Sequence, residues 1–342
     1  MNRNKKLLFI ACGLLLLVSI LAGMLIFLLS GKSAGKEDGG EAETVWTARQ
    51  LRKGLETAVD YDGKYNSYIS SPEEARNAIR EYGELQREKY SNPEVEEIEL
   101  AMEKEFNLCA VNLGEMDEAT AEDIQRAFSY MYETYPQLHG TLTNFTVGNF
   151  YGQSASYTAL TRDHVFIVHE TDGEFPYVVK YEIILNAAKF FDRDKMLAEC
   201  ERQVADGYWP ENTDISSIVV HELGHQLLNV YAMEQYGLEE AWYITEQNAD
   251  AYSRYVTDSL ADNQTVAGEL EKKAYNLWQK RYGNTGTVER FRESISLYAR
   301  GLQPDGGISH GETFAEAVAD VYLNGENAAD ASKSMVEALE EN

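Results

Sequence analysis

The hydrophobic and polar positions change their period three times along the chain. From Leu7 to Leu29 there is no period at all, only an almost unbroken apolar run without a charge. As a helix this run extends about 35 Å, enough to cross a hydrocarbon core of about 30 Å. Arg3, Lys5 and Lys6 precede it, and a Gly-rich stretch that soon turns acidic follows, so the positive-inside rule keeps the N-terminus in the cytoplasm. The expectation is a single-pass cell-membrane anchor over residues 1–30, a flexible linker over 31–44 and an extracellular remainder. A cleaved signal peptide is the competing reading, but its apolar core is normally shorter than this one.

Residues 45–135 carry helical spacing. Ser71-Pro72-Glu73-Glu74 and Asn92-Pro93-Glu94 each place a capping residue before a proline at the first helical position, with acids in the first turn. Ile124, Phe128, Met131 and Tyr135 recur on one face of a helix that starts in the acidic stretch Glu118 to Asp123. Beyond Tyr135 the pattern turns to aromatic and β-branched residues. His164 to His169 and Tyr177 to Leu185 read as strands joined by a turn from Thr171 to Glu174. The expected fold class is therefore α+β. A helical region over 45–135 precedes a domain over 136–342 that combines a small sheet, one buried helix and a mainly helical C-terminal part.

Charge and cysteine content narrow the partners. A formal net charge of −27 repels nucleic acid and anionic lipid surfaces alike, so no nucleic-acid partner is expected. Three cysteines are too few for a disulfide scaffold, and Cys12 lies in the apolar run. Cys109 and Cys200 remain as the one pair that an oxidising exterior would allow.

The chemistry concentrates after the strands. Thr213-Asp214 offers an N-cap, and Ile215, Ile218, Val219, Leu223 and Leu227 supply an apolar surface, so His221-Glu222-Leu223-Gly224-His225 falls inside a buried helix. Both imidazoles then leave one helix face and can grip a single Zn²⁺, while Glu222 is placed as general base for a zinc-activated water. Gly224 costs about 1 kcal/mol relative to Ala in mid-helix, which implies a neighbour packed close against it.

Two segments compete for the third ligand. Glu246-Gln-Asn-Ala-Asp250 resembles the glutamate helix of thermolysin-like gluzincins. Glu312-Thr-Phe-Ala-Glu316 puts two carboxylates on one helix face, one able to ligate and the other to accept the ring N–H of a ligand histidine. His310, near Glu312, is a further candidate ligand, but a histidine beside a Gly-rich loop is more often solvent-exposed. His164 and His169 lack a companion at ligand spacing and read as sheet or surface residues.

Ser294-Ile-Ser-Leu-Tyr298-Ala299 followed by Glu312-Thr-Phe-Ala-Glu316-Ala317, behind the His-Glu-Leu-Gly-His helix and the strand ending Ile183-Ile-Leu-Asn186, resembles the anthrax-toxin lethal-factor-type gluzincin family over residues 177–325. The resemblance implies a zincin-like fold in which His221, His225 and Glu312 bind Zn²⁺. It also implies that Glu222 is the base, that Tyr298 stabilises the oxyanion and that Glu316 orients a ligand. The implied function is a membrane-anchored zinc metallopeptidase acting on a peptide or protein substrate. The loop from Gly301 to Gly311 and the stretch from His225 to Tyr298 are longer than that family's pattern. The alternative from another class is a non-catalytic, zinc-containing binding domain on the cell surface.

Overall fold

The computed structural model describes residues 67–69, 92–150, 157–168, 177–238, 251, 254–255, 258, 263–283, 285–300 and 308–341. The expected anchor and linker, the helix start at Ser71, the turn from Thr171 to Glu174, His169 and the segment from Glu246 to Asp250 lie outside these residues. Among the described residues no helix is long and apolar enough to cross a membrane.

Local signals set the first two helices. Asn92 accepts from Glu94 N at 3.1 Å and Pro93 follows, opening α1 (Pro93–Glu105) where both were expected to do so. Asp117 accepts from Thr120 N at 2.7 Å and starts α2 (Glu118–Thr134), whose Ile124, Phe128 and Met131 are buried in one stripe. The architecture is α+β. Its five strands are β1 (Ser67–Ile69), β2 (Ala110–Asn112), β3 (Leu142–Gly148), β4 (Ala159–Val168) and β5 (Tyr177–Asn186), in the order β1-β4-β5-β3-β2. β4 and β5 run antiparallel from Ala159 opposite Leu185 to Ile167 opposite Tyr177, and the other pairings are parallel.

Two features differ from the sequence reading. β4 begins five residues before His164, because its pairing with β5 continues to Ala159. The region expected to be helical also supplies β1 and β2, so the sheet draws strands from both sides of Tyr135, and Val45–Asn342 forms one compact unit.

One sheet face carries Val111, Phe145, Ile183 and Leu185 into the hydrophobic core, where they meet Phe128 and the buried helix. The other face holds buried polar residues, with the Asn144 amide donating to Glu182 at 2.5 Å. The remaining helices are α3 (Ala187–Phe190), α4 (Arg193–Ala205), α5 (Ile215–Gln235), α6 (Gln264–Tyr282), α7 (Val288–Glu293), α8 (His310–Asn324) and α9 (Asp330–Glu340). α5 packs between α2 and α8, and α9 closes over α6 and α8. Asp320 of α8 ties α9 in place, accepting from Ser332 Oγ at 2.5 Å and Ala329 N at 2.9 Å. Cys109 and Cys200 are both buried and are not joined in a disulfide, and burial pushes the Cys200 thiol up to about 12.

Candidate metal centre

The site is built by two helices in contact. Asp214 accepts from Ser217 N at 2.9 Å while Ser217 Oγ accepts from Asp214 N at 3.0 Å, a reciprocal cap that starts α5 one turn and a half before its first histidine. Ser309 caps α8 by accepting from Glu312 N at 3.2 Å. The helices meet at Gly224, where an added Cβ would stand 3.1 Å from Ala315 Cα. This is the close neighbour that the mid-helix glycine implied. It brings Glu312 and Glu316, which flank Ala315 on α8, against the histidines of α5.

Three donor atoms converge there. His221 Nε2 lies 3.2 Å from His225 Nε2 and 3.1 Å from Glu312 Oε2, and the third side of the triangle, His225 Nε2 to Glu312 Oε2, is 3.4 Å. Ligands held about 2.0–2.1 Å from a tetrahedral zinc stand about 3.3 Å apart, so the triangle has the size such an ion requires. Glu312 Oε2 is buried and, despite its short distances to both rings, makes no well-directed hydrogen bond. It faces the two nitrogens as a ligand facing a shared cation would. Among the described residues no other group of three or more such side chains has ligand-like spacing.

The carboxylates and imidazoles of the triangle also shift one another. Burial disfavours a charged His221, but the close Glu312 and Glu316 carboxylates outweigh it and raise the imidazole to about 10. Burial likewise opposes the Glu312 charge, and His225 and His221 overcome it and hold the carboxyl well below the usual range.

The surrounding groups fix this arrangement. Glu316 Oε1 lies 2.9 Å from His221 Nδ1, and Glu316 Oε2 accepts from Ser296 Oγ at 2.8 Å. Ser296 Oγ in turn accepts from Ala299 N at 2.8 Å, and Thr313 Oγ1 donates to Ala299 O at 2.6 Å, pinning the segment that carries Tyr298 onto α8. The Tyr298 ring stacks on His221 with centroids 5.8 Å apart and planes 27° apart. Burial, then the charges of Glu312, Glu316 and Glu222, push its pKa far up, so the phenol stays protonated. Glu222 points toward the sheet, where its Oε2 accepts from Thr161 Oγ1 of β4 at 2.8 Å.

Thus the structure assembles His221, His225, Glu312, Glu316, Glu222 and Tyr298 in one place. His310 is not among the converging ligands. Its Nδ1 lies 2.6 Å from Glu271 Oε2, and Glu271 also binds Arg292 at 2.6 Å, so this histidine is half-buried against a buried Glu271–Arg292 pair rather than fully exposed as expected. His164 lies in β4 opposite Lys180. Three residues of the site carry no sequence signal that could have found them: Thr161, Ser296 and Tyr208. The Tyr208 ring lies 5.2 Å from Tyr298, and burial together with Glu312 and Glu316 raises its pKa. A scan against protein-family models, a search of curated proteins and a search of solved structures each returned no match.

Proposed function

We propose that the chain is a zinc metallopeptidase of the lethal-factor type, with a zincin-like catalytic domain held outside the cytoplasm by an N-terminal membrane helix. The observation that carries this reading is the donor triangle of His221, His225 and Glu312, with sides of 3.1, 3.2 and 3.4 Å, next to Glu222. These three side chains would hold the ion, and Glu316 would orient the His221 ring from behind. When bound, zinc supplies Lewis acidity, polarising the scissile carbonyl and lowering the pKa of the attacking water.

The chain's own groups do the rest. Glu222 takes the proton of that water and passes it to the leaving amine, while Thr161 keeps its carboxylate in one orientation. Tyr298, kept protonated by its surroundings, donates a hydrogen bond to the oxyanion. β1 pairs only with Phe166–Val168, so no strand among the described residues covers the outer edge of β4 from Ala159 to Val165. An extended peptide can align along that edge through its backbone, beside Glu222.

The test is hydrolysis of a peptide mixture by the zinc-loaded, full-length chain in detergent. Glu222→Gln is expected to keep zinc and to lose turnover by roughly 10²–10⁴-fold, the usual contribution of a general base. Full turnover in that variant would remove the peptidase mechanism.

A further inference from the structure

Two consecutive residues at the start of α6 join the helices that carry the donor triangle. Asn263 stands in the left-handed region at φ +51°, which asparagine tolerates better than most residues, and its N–H donates to Asp258 O at 2.9 Å. The Asp258 carboxylate accepts from Thr265 N at 2.7 Å and from Val266 N at 3.3 Å. A side chain from outside thus caps α6, and the Asn263 side chain serves another contact. Its amide is buried and donates to Asn229 Oδ1 of α5 at 2.5 Å. Asn229 follows His225 by four residues, on the same helix face.

Gln264 reaches the other helix. Its Oε1 accepts from His310 N at 2.8 Å and its Nε2 donates to Ile308 O at 2.7 Å, so one carboxamide holds the main chain on both sides of Ser309. Ser309 is fully buried, and its Oγ accepts from the backbone N–H of Glu312. The His310 ring lies against Gly268 of α6, where an added Cβ would stand 3.3 Å from His310 Cδ2. Glu312 sits in the first turn of α8, where the N–H groups lack partners within the helix and the backbone is least held by the helix itself. A ligand there needs a hold from outside, because ligand distances tolerate deviations of only about 0.2 Å. We propose that Asn263 and Gln264 are positioning residues for the metal: a staple that sets the distance of the first turn of α8 from α5, and so of Glu312 from His221 and His225. The staple rests on the metal-centre reading.

Two substitutions in the full-length chain, purified in detergent, break one leg each. Gln264→Met keeps the length of the side chain and loses its hold on α8; Asn263→Gly keeps the left-handed backbone and loses its hold on α5. Each is expected to lower Zn²⁺ affinity roughly tenfold, measured by competition with a chromophoric chelator, and to shift the visible absorption of Co²⁺ bound in place of zinc. The melting temperature of the metal-free chain should change by no more than a few degrees. Either break releases the same constraint, so the double variant should bind Zn²⁺ no more weakly than the weaker single one. Single losses that multiply in the double variant would reveal two independent structural bonds and overturn the staple. Wild-type affinity with an unchanged Co²⁺ spectrum in both variants overturns it too, and leaves the metal centre standing. A folded wild-type chain that binds neither Zn²⁺ nor Co²⁺ removes the metal centre and the staple together. If Asn263→Gly does not fold, Asn229→Leu breaks the same leg from its α5 end and carries the same expectation.

Discussion

Replacing Gly224 with alanine sets two effects of known size against each other. Alanine in mid-helix is favoured over glycine by about 1 kcal/mol, so helix propensity alone raises stability. The new methyl would stand 3.1 Å from Ala315 Cα, where an unstrained carbon contact needs about 3.5–4.0 Å. The obstacle is the backbone of α8, which cannot rotate away as a flexible side chain would, so α5 and α8 must part by about half an ångström. Overpacking of this kind costs about 1–3 kcal/mol, which leaves the variant less stable by roughly 0–2 kcal/mol. The larger consequence falls on the metal. His221 and His225 ride on α5 and Glu312 on α8, and ligand distances tolerate deviations of only about 0.2 Å. Zinc affinity, measured by competition with a chromophoric chelator, is expected to drop about 10–100-fold, with a melting temperature unchanged or lowered by a few degrees. A raised melting temperature with unaltered zinc affinity would refute the argument that the Gly224–Ala315 contact sets the ligand geometry.

Thr161→Val removes the hydroxyl that donates to Glu222 at 2.8 Å while keeping the shape of the side chain. A hydrogen bond to a charged group contributes about 1.5–3 kcal/mol, so kcat should fall roughly 10–100-fold with zinc content unchanged, and a kcat equal to wild type counts against this positioning role. Glu271→Ala strands Arg292, whose side chain is 8% exposed, without its carboxylate. Breaking such a buried pair costs about 3–5 kcal/mol, which denaturant unfolding will register; equal midpoints for variant and wild type would show that the cluster is not stabilising α8. Zinc loading of chelator-treated chain at pH 7 should release protons, because His221 holds one up to about 10 and must lose it to ligate. Affinity therefore rises with pH, and calorimetry in buffers of different ionisation enthalpy should detect the released protons, whereas zero release contradicts a protonated His221.

The parts of this protein that could be read in the sequence are those set within one turn or one strand. Asp214 before Ile215, Asn92 before Pro93, and the four-residue spacing of His221 and His225 are local facts, and α5 and α1 begin and run as those residues require. β1 and β2 left no trace because three residues cannot establish an alternation, and Ala110-Val111-Asn112 becomes a strand only by pairing with β3. The approach of Glu312 to His221 joins residues 91 positions apart, a tertiary event that spacing cannot encode; the Glu312–Glu316 pair on one helix face made it a candidate beside Glu246, and the Glu-Thr-Phe-Ala-Glu-Ala resemblance favoured it. Gly224 did signal a close neighbour, though not that Ala315 would be the one. Thr161 and Ser296 are single hydroxyls in unremarkable surroundings, and each acquires its role from a carboxylate more than fifteen residues away. His310 shows the reverse case, since its surroundings in the sequence suggested solvent while Glu271, from α6, holds its ring at 2.6 Å and leaves it half-buried.

We propose that His221, His225 and Glu312 together hold one zinc ion. Elemental analysis of the purified full-length chain, alongside His221→Ala, Glu312→Ala and Glu246→Ala, tests it most directly. One zinc per folded wild-type chain is expected, lost in His221→Ala and Glu312→Ala and kept in Glu246→Ala. Zinc retained in Glu312→Ala but lost in Glu246→Ala, or no zinc in a folded wild-type chain, would contradict it.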